Sequence, residues 1–80
     1  MTSEEATKWI AELFNEDPND IGPETLRDDI PEWDSIGVLN LMAELDADFE
    51  INLTDQQISG MHKVSDLLAV LKENGKLDQT

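Results

Sequence analysis

Apolar residues recur at helical spacing in three stretches of the chain. The first is Ala6, Trp9, Ile10, Leu13 and Phe14. Ahead of it, Thr2 and Glu5 fit the S/T-x-x-E capping box, which satisfies two orphan N–H groups at a helix start. This helix is expected to end near Asn15, because Pro18 cannot continue it. The second stretch predicts a helix from about Ser35 to Phe49. Val38, Leu41, Met42, Leu45 and Phe49 form one stripe on it, and Ile36, Leu39 and Ala43 form another beside the first. A helix apolar over so wide an arc sits centrally in a bundle or shows part of the arc to a partner. The third stretch, Val64, Leu67, Leu68 and Leu71, predicts a helix from about Val64 to Glu73 with Asn74-Gly75 as its stop. Lys63 is a poor N-cap, so that helix is expected to fray at its start.

The intervening segments differ in character. Glu16 to Asp34 contains Pro18, Gly22, Pro23 and Pro31 and reads as irregular. A structureless loop of that length is uncommon in a compact domain. Ile21, Leu26, Ile30 and Trp33 are expected to pin it to the core, with one short turn of helix near Glu24 to Arg27. Ile51 to Leu53 is too short for a sheet of its own. Thr54 and Gln57 make a second capping box, opening a short helix that runs to about Ser59, with Gly60 placed to stop it. The expected fold is all-α: a four-helix bundle of three main helices, a short third helix and a long first loop. Residues 1–75 form the domain, and 76–80 are expected to be a flexible tail.

Composition narrows the function classes. With 80 residues, the chain makes one small domain with a thin core. It has no cysteine and a single histidine, which excludes a disulfide framework and a tetrahedral zinc site built on His and Cys. The net charge is −14. A phosphate backbone or an anionic membrane would repel such a surface, so neither is an expected partner. Proteins with basic patches would be steered towards it. No apolar run is long enough to cross a membrane, and the acidic start Met1-Thr2-Ser3-Glu4-Glu5 has no secretory h-region. The chain is expected in the cytoplasm, as a monomer.

Candidate chemistry gathers at Asp34 and Ser35. Both are ordinary helix starters, and a bare Asp-Ser pair carries no function by itself. The context is more specific. Residues 33–49 read W-D-S-I-G-V-L-N-L-M-A-E-L-D-A-D-F, and Leu53, Thr54-Asp55, Ile58, Met61, Val64, Leu67, Leu68 and Leu71 follow. This run resembles the acyl carrier protein family, whose signature is Asp-Ser-Leu opening the second helix, followed by an acidic apolar helix ending near a Phe. The first helix and the long loop resemble the family more loosely, and nearly the whole chain is included.

The resemblance implies that Ser35 is esterified through its hydroxyl to 4′-phosphopantetheine, taken from coenzyme A by a phosphopantetheinyl transferase, with Asp34 beside it. The arm's thiol would hold an acyl or aminoacyl group as a thioester, in fatty-acid or in specialised polyketide, peptide or lipid biosynthesis. Such a protein is a phosphoprotein and a carrier, not an enzyme. Its partners are acyl-loading and acyl-processing enzymes. By the same likeness they dock on the second helix, against Ile36, Leu39 and Ala43, with Glu44, Asp46 and Asp48 offered to their Arg and Lys side chains. The physical logic is consistent: a phosphodiester at Ser35 is an anion at the positive end of a helix, and the arm supplies a sulfur that the chain lacks.

The chain departs from the family's pattern in three places. Gly37 stands where many members carry an acid, and Asn40 and Ala47 occupy frequently acidic positions. Gly37 also weakens the helix start by up to ~1 kcal/mol relative to alanine. Trp33 before the Asp is similar to carriers dedicated to specialised pathways. The alternative reading is an unmodified carrier-like interaction adaptor. A hydrolase using Ser35 and His62 lacks any sign of a nucleophile elbow or an oxyanion hole. Asp46, Asp48 and Glu50 alternate like a calcium loop, but Ile51 stands where that motif needs Gly. Met42 and Met61 can line an acyl channel, and more often fill a core.

Overall fold

A computed structural model describes residues 1–78. Helix α1 spans Ser3–Leu13, α2 Ser35–Phe49, α3 Asp55–Ser59 and α4 Val64–Glu73, and a 3₁₀ turn covers Arg27–Asp29 in the long first loop. No strand occurs among the described residues, so the expected all-α, four-helix architecture holds. Helix α1 packs on both α2 and α4.

The starts of α1 and α3 have a local cause. The Thr2 hydroxyl accepts from Glu5 N at 3.1 Å, and the Glu5 carboxylate accepts from Thr2 N at 2.9 Å. Thr54 and Gln57 repeat the exchange at α3. The expected fraying at Lys63 is corrected by two compensations. The Asp66 carboxylate accepts from His62 N and Lys63 N, at 2.8 and 3.2 Å. The first amides of α4, Val64 N and Ser65 N, donate to Thr25 O and Pro23 O in the long loop. Donors that a helix start normally leaves open are thereby satisfied by tertiary neighbours.

Helix ends follow backbone handedness. Asn15, Glu50 and Gly75 adopt positive φ values of 56°, 56° and 72° after α1, α2 and α4. The next amide then turns back, from Glu16 N to Ala11 O, Ile51 N to Leu45 O and Lys76 N to Leu71 O, as a left-handed cap requires. Gly60 is not such a stop. Its φ of −81° is right-handed, and a Cβ there would meet only ordinary contacts.

The core is built from Ala6, Ile10 and Phe14 of the α1 region, Leu41 and Leu45 of α2, and Val64, Leu67 and Leu71 of α4. Ile30 and Trp33 close it from the long loop, as the sequence predicts. Leu26 does not: it is half exposed, because its backbone is committed to an isolated antiparallel bridge with Lys63. The helical turn expected near Glu24 to Arg27 lies later, at Arg27–Asp29. Arg27 N donates to His62 O at 2.8 Å, which holds the preceding residues extended against the start of α4. Met61 is core, whereas Met42 is only half-buried.

At the chain's start, the Met1 ammonium donates to Lys76 O, and Asp78 N donates to Met1 O. Leu77 packs against the core edge. Of the segment expected as a tail, residues 79–80 lie outside the described residues.

Candidate functional site

Asp34 is the N-cap of α2. Its backbone is extended, and its Oδ1 accepts from Gly37 N at 2.9 Å. Capping is therefore done by Asp34, and Ser35 is left as the first helical residue with an exposed side chain. Among the described residues the Ser35 hydroxyl takes part in no hydrogen bond that the fold needs. The helix start thus accounts for Asp34 and makes no use of the neighbouring hydroxyl.

The entry to this helix is set by the residues before it. Trp33 is buried and stacks on Phe14, with ring centroids 5.2 Å apart and planes 14° from parallel. Trp33 N donates to Ile30 O. The tight approach brings the Glu32 carbonyl against α2, and a Cβ built on Gly37 would lie 1.8 Å from Glu32 O. No side chain fits there. The expectation that alanine at 37 would favour the helix is therefore corrected: glycine is required by this close approach, whatever its propensity cost.

Ser35 opens onto a groove of about 290 Å³ lined by Val38, Leu39 and Met42 of α2, by Asp55, Ile58 and Ser59 of α3, and by Arg27. The groove joins a nucleophilic oxygen to an apolar wall. Its dimensions and mixed lining suit a slender, partly apolar chain attached at Ser35. Positive potential from the α2 N-terminus and the Arg27 guanidinium suits an anionic linkage there. The residues present therefore fit a phosphodiester-linked arm. Asp34 sits beside the hydroxyl without occupying it.

The other candidate residues fall on two faces of α2. Ile36 and Leu39 are 70% and 65% exposed, a large exposure for such side chains, and they flank Ser35. Ala43 and Asp46 are exposed further along the same face, at helical spacing. Glu44 and Asp48 instead line a separate groove of about 420 Å³ against α1, with Trp9, Glu12, Leu13 and Asn40. There the Asp48 carboxylate accepts from Trp9 Nε1 at 2.9 Å, and Trp9 meets Phe49 edge-on. Asp48 thus has an internal partner that sequence spacing did not reveal. Arg27 was also missed. The available signal was a lone cation six residues before Trp33, on a chain with 5 Lys and Arg against 19 Asp and Glu.

His62 is exposed and does not line the Ser35 groove. No group of three His, Cys, Asp or Glu side chains among the described residues is arranged to hold a metal ion. No described helix is long and apolar enough to cross a membrane.

No family model matches the sequence, and no curated protein matches it. Solved structures do. The chain is similar to the solution NMR structure of a holo acyl carrier protein from Geobacter metallireducens, at 25% identity over 92% of this chain and 86% of that one, with a TM-score of 0.74. The likeness covers 92% of this chain, and together with the four helices it makes the chain an acyl-carrier-like helical bundle.

Proposed function

We propose that the chain is an acyl carrier whose Ser35 holds 4′-phosphopantetheine, installed from coenzyme A by a phosphopantetheinyl transferase. The observation that carries this reading is the division of labour at the start of α2. Asp34 caps the helix, so Ser35 presents an exposed hydroxyl at the mouth of a half-apolar groove. Likeness to a holo carrier supports the same assignment.

When bound, the arm supplies a thiol that holds an acyl or aminoacyl group as a thioester. The chain's residues do the rest. Ser35 is the attachment oxygen, and the end of α2 favours the anion formed on it. Val38, Met42 and Ile58 offer apolar contact along the groove. Ile36, Leu39 and Ala43 form the surface that partner enzymes meet, and Glu44, Asp46 and Asp48 add negative charge for their basic patches. The chain acts as a cytoplasmic monomer that presents cargo to enzymes, in fatty-acid or specialised biosynthesis.

Intact mass after incubation with coenzyme A and a promiscuous phosphopantetheinyl transferase tests the assignment. The expected result is the addition of one phosphopantetheine, lost in Ser35→Ala. An unchanged wild-type mass leaves an unmodified interaction adaptor as the better reading.

A further inference from the structure

We infer that Arg27 is this chain's own receptor for the phosphodiester formed at Ser35, fixing the root of the arm at the groove mouth. The inference rests on the proposed modification of Ser35 and adds a binding residue to it.

Four observations meet at this side chain. Arg27 lines the same groove as Ser35, although they lie on different elements. Its guanidinium is held in place: Nε donates to Trp33 O at 3.3 Å, and the group lies 5.9 Å from the Trp33 ring centroid. Its backbone is fixed by the bond from Arg27 N to His62 O. Lastly, Arg27 pairs with no carboxylate among the described residues, where the ion pairs within 4.0 Å are Met1 with Asp78 and Lys63 with Glu24.

The last point is unexpected on a chain of net charge −14. Asp28 and Asp29 follow Arg27 directly, and Asp55 lines the same groove, yet none binds it. A guanidinium has five N–H donors in a planar fork, and Nε spends only one on the Trp33 carbonyl. The outer donors remain, and their spacing matches two oxygens of a phosphate. A phosphodiester on Ser35 would add negative charge to an already acidic molecule. A positioned cation offsets that repulsion where it arises. The Trp33 contact also preserves the guanidinium's orientation before any anion arrives, which lowers the ordering cost of binding it.

The test uses ¹⁵N-labelled full-length protein, before and after loading with an arm that ends in a free thiol, so that the phosphodiester is the only anion added. Intact mass is read first. Loading should then shift the Arg27 Nε–H signal and slow its exchange with water. The ³¹P shift of the loaded protein should move to that of the urea-unfolded holo protein in Arg27→Gln and only part of the way in Arg27→Lys. Circular dichroism checks that both variants fold, and Arg27→Lys keeps the charge if the Gln variant does not fold. An unchanged mass overturns both the Ser35 assignment and this inference. A gained mass with unmoved Arg27 and ³¹P signals overturns this inference alone. Signals that move only after a carboxylate-bearing acyl group is loaded also overturn it, and assign Arg27 to the cargo.

Discussion

Gly37 separates two kinds of residue-scale argument. Helix propensity alone favours alanine there by up to ~1 kcal/mol. The Glu32 carbonyl, 1.8 Å from where the Cβ would stand, decides the opposite sign. Overpacking of this kind typically costs 1–3 kcal/mol, and here the obstacle is backbone rather than a flexible side chain. Gly37→Ala is therefore expected to destabilise the protein by about 2 kcal/mol. Urea denaturation measures it, and equal or greater stability in the variant would show that the loop before α2 yields without cost. Because the Asp34 carboxylate accepts its capping hydrogen bond from Gly37 N, the same variant should disturb the Ser35 environment too. Sequence located the Asp34-Ser35 pair but not the reason for the glycine that follows, since that reason is a carbonyl five residues upstream brought round by a turn.

At the scale of single elements, the capping boxes at α1 and α3 were legible because their chemistry is local: donor and acceptor lie three residues apart. The α1 box gives a pH-dependent expectation. The Glu5 carboxyl is held below its ordinary pKa, chiefly because its carboxylate accepts from the Thr2 backbone N–H, with the Thr2 side chain as the next cause. A lowered folded-state pKa means that the charged form stabilises the fold, fully above the unfolded pKa and progressively less as pH falls through the folded one. Amide protection in the first turn of α1, taken relative to the intrinsic exchange rate at each pH, should fall as the pH drops through the carboxylate range, and Glu5→Ala should remove that loss of protection locally. Unchanged protection in wild type would sink the role given to Glu5. The start of α4 shows the limit of local reading. Lys63 is a poor cap, but Val64 N and Ser65 N find acceptors in the long loop, about forty residues earlier in the chain.

For the whole molecule, charge sets the expectation. Principal extents of 29 × 29 × 20 Å carry a net charge of −14. The Debye length is ~30 Å at 0.01 M salt and ~3 Å at 1 M, so at low salt nearly every acid repels every other. The melting temperature should rise steadily with sodium chloride from low ionic strength, because self-repulsion weakens the compact state. A flat response would mean that the acids are spread widely enough to ignore one another. The sequence by itself determined the four helices, their order, the core stripes and the Asp34-Ser35 pair. Those depend on periodicity, capping and short spacing, which a linear reading contains. Tertiary structure alone decided that Asp34 rather than Ser35 does the capping, that Gly37 is sterically required, that Asp48 is tied to Trp9, and that Arg27 shares a groove with Ser35. Each depends on which groups are near in space after the chain has turned, and closeness in space is not written in spacing along the chain.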